Sequence, residues 1–384
     1  MGHHTPALKE GKMRFPEHKS RSAVHCTLGV VVLLTLVIAG GCAAPAGGPG
    51  HAADVVEDAA GKGRLSLFLN LLEAEGPELS MEITAVELQG RDGLWQTFHA
   101  GSLTVDSGQI RNGQKFLTRM VLPPDKYARL RLRHGAVDKA GSDDVQPGAE
   151  QEVELEVVLD LRNKLQIEPG DSKSIFLTWD TRATLQGRGV EPVIRVAPSL
   201  KKLIADVGYV ACPQIDTVYM FSTEQNRVID SIGISGRPTY LFLNTLFDEE
   251  KVYVLTDSAL TAFSTAANEV VEHNNLSMAN SPVHMDFSPD GRWAYILDQQ
   301  RGTVLQMDMD SGAVVNQVRL NYAPNYILYL EEYDQPMVSV GITHNVIALD
   351  PRSLASRAKI STGANPAGMV AWEGRSLYIA ESGS

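Results

Sequence analysis

Cysteine is scarce in this chain: three residues in 384, Cys26, Cys42 and Cys212. That is too few for a disulfide-stapled scaffold. No apolar run reaches the ~20 residues a membrane-spanning helix needs. Thr27–Ala39, an uncharged apolar run, stops at 13 residues. Basic residues are in deficit, 34 Lys and Arg against 46 Asp and Glu for a net charge of −12. Neither a nucleic-acid surface nor a basic membrane-binding face is therefore expected. Also missing are Gly-x-Ser-x-Gly, a P-loop and a Gly-x-Gly-x-x-Gly opening a helix, the common short signatures of hydrolases and nucleotide binders. What remains is a chain with 43% hydrophobic and 21% charged residues and 33 glycines. This is near the globular average, so a wholly disordered or collagen-like chain is ruled out. The length suits two or three domains at ~150 residues each.

The apolar run is preceded by Lys19 and Arg21 and followed by Ala39-Gly40-Gly41-Cys42. A basic flank, a short apolar core and small residues before a cut site make a secretory signal peptide. Small residues at the three positions before a cysteine resemble the lipobox of bacterial lipoproteins, with Ala39 where that family prefers Leu. The resemblance implies that residues 1–41 are removed and that Cys42 is diacylated as the new N-terminus. Met13 would leave a basic leader of more usual length than Met1 does. Ala43 stands where, in the enterobacterial pattern, Asp signals retention in the inner membrane. The expected location is thus the cell envelope, lipid-anchored, with the outer membrane favoured. Cleavage takes away five bases and two acids and leaves the remainder more acidic still. Residues 42–63, rich in Ala, Gly and Pro and without apolar periodicity, read as a flexible tether. With Cys26 discarded and Cys42 acylated, no intrachain disulfide is possible; Cys212, in Tyr-Val-Ala-Cys-Pro, reads as a small buried thiol at a strand end.

Over 64–200 the signal is period two. Leu65, Leu67 and Leu69 alternate, as do Val153, Leu155, Val157, Leu159 and Leu161 against Glu152, Glu154 and Glu156, and Ile175, Leu177 and Trp179. Each run has one wet and one buried face. Arg91-Asp92-Gly93, Pro123-Pro124-Asp125, Gly141-Ser142-Asp143, Pro147-Gly148 and Pro169-Gly170 punctuate them as turns. Glu73–Glu82 is the one stretch open to a short helix. About seven strands at this spacing predict a β-sandwich.

The segment order GRLSLFLNLLEA, MEITAVELQGRDGLWQTF, LPPDKYARLRLRHG, VVLDLRNKLQIEPGDSKSIFLTWDTRATL and EPVIRV is similar to the bacterial domain-of-unknown-function family 4382. That family resembles a prealbumin-like sandwich carried by lipoproteins. Pro124-Asp125-Lys126-Tyr127 stands at its Pro-x-Gly-x-Tyr turn, with Asp-Lys in place of the usual Gly, and Trp179-Asp180 at its late apolar strand and aspartate. The resemblance implies no catalytic residue. Asp160, Arg162 and Asp180 are read as strand-end charges, solvated or paired.

Residues 204–384 repeat. GISGRPTYLFLN, SMANSPVHMDFS, LNYAPNYILYLE and STGANPAGMVAW align on Pro238, Pro282, Pro324 and Pro366, spaced 44, 42 and 42. A second anchor aligns Tyr209, Tyr253, Tyr295, Val338 and Tyr378, and third and fourth strands follow each. Four short strands every ~40–45 residues is the period of a propeller blade. The unit SPVHMDFSPDGRWAYILDQQRGTVLQMDMDSGAVVNQV resembles the YVTN-type β-propeller repeat, whose Pro-Asp-Gly turn is supplied here by Pro289-Asp290-Gly291. From Tyr209 the chain gives three strands of one blade, three full blades and two strands more. The expected fold is all-β: a prealbumin-like sandwich, then a partial or small propeller of about four to five blades. A ring closed with four, a chain shorter than its relatives, and a ring completed by a second copy all stay open.

No chemistry stands out. Among His51, His99, His134, His273, His284 and His344 no pair has the short spacing of a zinc site. His284, two residues into an innermost strand, is placed to line a central channel; His344 starts an outer strand. Asp290, Asp308 and Asp310 at blade turns suit Asx hydrogen bonds better than Ca²⁺. No catalytic, cofactor-binding or metal residue is assigned. The function read from the sequence is a non-enzymatic envelope lipoprotein that binds a protein, a glycan or a surface polymer. The YVTN resemblance also implies an alternative, a lactonase-like or quinoprotein-like propeller enzyme. If Cys42 carries the lipid, Cys42→Ser will convert a detergent-phase protein into an unprocessed or aqueous-phase one; unchanged partitioning in a detergent phase-separation assay would refute the assignment.

Overall fold

The computed structural model of the protein describes residues 61–111, 113–139, 154–186, 191–197, 207–244, 251–320, 324–372 and 376–383. Residues 1–41, Cys42 and nearly all of the 42–63 segment lie outside the described residues, as does the stretch 198–206 between the two repeating patterns.

The period-two segments fold into nine strands: β1 (Gly63–Leu71), β2 (Leu79–Gln89), β3 (Trp95–Asp106), β4 (Lys115–Leu122), β5 (Asp125–His134), β6 (Asp138–Lys139), β7 (Leu155–Ile167), β8 (Ser172–Asp180) and β9 (Val193–Val196). They make two sheets, β4-β1-β8-β9 and β3-β2-β5-β7, with β6 on β2. The alternating leucines of β1 and β7, together with Leu177 and the fully buried Trp179, meet Leu88, Leu130 and Leu132 in one core. Each such side chain contributes about 1.5–3 kcal/mol relative to exposure. On the outer face Glu154 and Glu156 are exposed, and Arg133 and Arg131 reach them at 3.0 and 3.2 Å. Glu73–Glu82 is not helical: a turn at 74–75 runs into β2, whose alternating Leu79, Met81 and Ile83 enter the core, so burial of one strand face overrides helix propensity. The helices are instead α1 (Ser107–Ile110), capped by Asp106 accepting from Gly108 N–H at 2.7 Å, and α2 (Thr181–Gln186).

The repeats form antiparallel sheets in series. The first has three strands, β10 (Val207–Cys212), β11 (Thr217–Ser222) and β12 (Arg227–Gly233). Three sheets of four follow: β13 (Tyr240–Asn244) to β16 (Glu269–Asn275), with β14 (Lys251–Leu255) and β15 (Ala259–Ser264) between; β17 (Pro282–Phe287), β18 (Trp293–Asp298), β19 (Thr303–Asp308) and β20 (Ala313–Arg319); and β21 (Pro324–Leu330), β22 (Gln335–Val340), β23 (Asn345–Leu349) and β24 (Ser356–Ser361). The last described sheet has two, β25 (Pro366–Trp372) and β26 (Ser376–Glu381). This is a propeller-like architecture. Cys212 ends β10 and is buried.

Pro282, Pro324 and Pro366 open the first strand of their sheets, and each is followed by a register shift before the second residue beyond it. Pro238 lies two residues ahead of β13. The ladder corrects one alignment. Pro324 pairs with Val340 as Pro282 pairs with Asp298, so the counterpart of Tyr295 is Met337, not Val338. The burial agrees: Tyr295 packs toward the sheet after its own, and so does Met337, whereas Val338 faces the sheet before. A slip of one residue moves a side chain to the other face.

β12 packs on β8, joining the first repeat to the two-sheet core. Ser174 and Ser231 share a hydrogen bond at 2.8 Å, Ser66 and the Tyr219 hydroxyl one at 2.7 Å, and Phe68 lies edge-on to Tyr219. At Gly233 the backbones come so close that a Cβ would sit 2.2 Å from the Gly170 carbonyl and 2.9 Å from the Ser172 nitrogen. Gly233→Ala should therefore lower stability in urea denaturation by about 1–3 kcal/mol. Gly135→Ala, with open space around the new methyl, should stay within about 0.5 kcal/mol of the parent.

Candidate functional site

The innermost strands β13, β17, β21 and β25 run side by side. The position two residues after each aligned proline is Tyr240, His284, Tyr326 and Gly368, and all four hold the same ladder register, opposite Leu255, Leu297, Ser339 and Ala380. The repeat thus stacks one side chain from each of β13, β17 and β21 in a row. The Tyr240 and His284 ring centroids are 4.3 Å apart, and those of His284 and Tyr326 are 3.9 Å apart. Gly368 leaves a gap at the end of the row.

His284 is 8% exposed and its Nδ1 is buried without a hydrogen-bond partner. Burial pushes the imidazole down to about 3, so it is neutral at physiological pH. It can then offer one donor and one acceptor. Burial also raises both phenols, with the neighbouring Asp286 carboxylate adding to the shift. Asp286, on the same face of β17 as His284, accepts the backbone N–H of Tyr329 at 2.7 Å and that of Phe287 at 2.8 Å. Those bonds favour the carboxylate, yet desolvation outweighs them and lifts Asp286 to about 6. The row is a largely buried aromatic stack whose rings and imidazole are uncharged, with the Asp286 carboxyl, mostly ionised at neutral pH, beside it.

Other sequence candidates resolve into structural roles. Asp290 accepts from the Ser288 hydroxyl and Arg292 N–H, and Asp308 from Asp310 and Ser311 N–H, the expected Asx turns. Asp180 accepts from Ala183 N–H at the start of α2, and Asp160 is partnered. His134 is buried with Nδ1 2.6 Å from the Gly135 carbonyl, His273 bonds Thr261, and His344, in a turn before β23, accepts from Asn365 N–H. His99 lies on β3. No group of three His, Cys, Asp or Glu side chains converges among the described residues. Only His284 was singled out by sequence for the central row. Tyr326 and Asp286 were missed, although the proline alignment that places His284 places Tyr326 equally.

No family model and no curated protein matches the chain. Solved structures similar to it include a protein of unknown function from Bacteroides caccae, with TM-score 0.36 and 13% identity over 44% of this chain and 65% of that one. Virginiamycin B lyase from Staphylococcus aureus follows, with TM-score 0.39 and 10% identity over 46% and 60%. A third is the Neurospora crassa Pan2 WD40 domain, with TM-score 0.36 and 10% identity over 46% and 57%. The chain spans less than two thirds of the length of each.

The two buried titrations act in opposite directions. Unfolded His284 takes up a proton below ~6.5 while the folded imidazole waits until about 3. Its contribution is full above that unfolded value and is lost as pH falls. Asp286 holds its proton in the fold up to about 6 and releases it near ~3.9 when unfolded, so its contribution falls as pH rises between them. His284→Gln removes the first effect alone. The stability gap between parent and variant should widen from pH 4 to 6.5 in thermal unfolding; a gap independent of pH would show that the imidazole titrates normally.

Proposed function

We propose that this chain is a lipid-anchored envelope protein that works as a non-enzymatic binding module. In this reading residues 1–41 are a signal peptide, Cys42 bears the lipid and 42–63 is the tether. Residues 64–200 are a prealbumin-like sandwich, and 204–384 are propeller repeats that present the ligand surface. Among a protein, a glycan and a surface polymer, the central row favours an uncharged, hydroxyl-rich ligand such as a glycan. The observation that carries this is the unpartnered Nδ1 of His284 set between two tyrosine rings. A buried polar atom left unpaired is costly, a ligand hydroxyl would satisfy it once the covering tyrosine rings part, and the absence of charge on the rings and imidazole suits a neutral partner.

One observation favours the enzymatic alternative: Asp286, lifted to about 6 beside the row, is poised for proton transfer. The two readings separate in one experiment. Purified protein is titrated calorimetrically with neutral oligosaccharides of glucose and of N-acetylglucosamine, and each mixture is then analysed for altered sugar. Binding of at least one, weakened tenfold or more (about 1.4 kcal/mol) by Tyr326→Ala without loss of fold and with the sugar unchanged, is expected. Turnover abolished by Asp286→Ala would establish the enzyme instead, and no binding across the panel would refute a glycan site on the row.

A further inference from the structure

A cleft of about 220 Å³ lies at the junction of the two-sheet core and the first repeat, away from the central row. β1 brings Asn70 and Leu71 to it, β8 brings Phe176 and Thr178, and β12 brings Arg227 and Ile229. Two of these groups are unsatisfied. Asn70 is 6% exposed and its Oδ1 has no partner. The Nε of Arg227 is buried and also has none, while the side chain as a whole is half-buried. A buried polar atom left without a partner costs free energy that a ligand atom could recover. The rest of the lining is apolar apart from Thr178, and holds no carboxylate.

The cleft is held open by contacts on either side. The Gln114 amide bonds both backbone groups of Val228, donating to its carbonyl at 3.2 Å and accepting its N–H at 3.1 Å. Phe176 is pinned by stacking on Phe68 at 5.6 Å, and the hydroxyl pairs of Ser174 with Ser231 and Ser66 with Tyr219 fix β8 and β1 against the first repeat. One cation, one amide and aromatic and aliphatic walls form a preformed site with a head and a tail. Its volume is below the ~300–1,000 Å³ of drug-sized pockets, so the occupant is small.

We propose that this junction binds a small amphiphilic monocarboxylate, such as a medium-chain alkanoate. The carboxylate would take the planar donors of Arg227, with charge-assisted geometry that a guanidinium provides and an ammonium does not. The Asn70 amide, whose oxygen and nitrogen exchange by a half-turn, would complete the head site. The chain would lie against Phe176, Leu71 and Ile229. Because the walls come from both the two-sheet core and the first repeat, occupancy would also stiffen their junction.

The test is isothermal titration of the purified protein with sodium octanoate, octan-1-ol and sodium phosphate. Saturable one-to-one binding of octanoate is expected, with octanol and phosphate each at least tenfold weaker. Arg227→Met should weaken octanoate tenfold or more. Arg352→Met, at an exposed turn, should leave it unchanged. Should Arg227→Met fold poorly, Leu72→Glu gives a second reading: Leu72 lines the cleft and is 55% exposed, so a carboxylate there is tolerated and should repel the ligand to a similar degree. No binding of octanoate by the parent, phosphate binding as tightly as octanoate, or unchanged octanoate affinity in folded Arg227→Met or Leu72→Glu would each overturn the proposal.

Discussion

Every repeat in the second half of this chain depends on strand parity. A four-stranded sheet stacked between two others buries both faces of its middle strands, polar side chains such as Thr261, Gln306 and Ser339 included. Tyr295 and Leu297 serve one neighbour while Ala294 and Ile296 serve the other, and all four are fully buried. The register shift that follows each strand-opening proline sets this parity at the start of the repeat, and the ladder carries it outward. The outermost strands escape it: β20 alternates, and β24 is exposed except at Ile360. Packing demand therefore falls from the inner strands to the rim.

The same register that serves packing also builds the central row. Position two after the proline is where each innermost strand meets the next, so any aromatic placed there contacts its counterpart. Burial at that crossing keeps His284 neutral and holds a proton on Asp286 at mildly acidic pH, without any counter-ion. The junction with the two-sheet core is made differently. Hydroxyl pairs and glycine-close backbones replace the apolar interdigitation found between repeats, and a cleft lined by Asn70 and Arg227 is left beside them.

Much of this was legible in the residues. Alternation gave the sheets of the first half, and the 42-residue spacing gave the number and length of strands in each repeat, including the three-strand start and two-strand end. Failures came where a local signal had competing meanings. Glu73–Glu82 has the composition of a short helix, but Leu79, Met81 and Ile83 are committed to the core. Val338 was aligned to Tyr295 because both sit amid apolar residues, and only pairing distinguishes two faces that are equally buried. His284 was visible because a histidine in an apolar strand is conspicuous; Tyr326 was not, because tyrosine is ordinary there. The cleft was invisible in sequence, since Asn70 and Arg227 are 157 positions apart and meet only through the β8–β12 contact.

The serial arrangement has a consequence for how the chain comes apart. Each complete repeat buries its apolar faces only against the repeats on either side, so stability is distributed among interfaces and is not pooled in one core. The first repeat is braced by the two-sheet core, while Val370, Trp372 and Tyr378 of the last described sheet are more than half exposed. Cooperativity should therefore be strongest beside the two-sheet core, and within a repeat the amide protons of the inner strands should exchange with solvent more slowly than those of the rim strands β20 and β24.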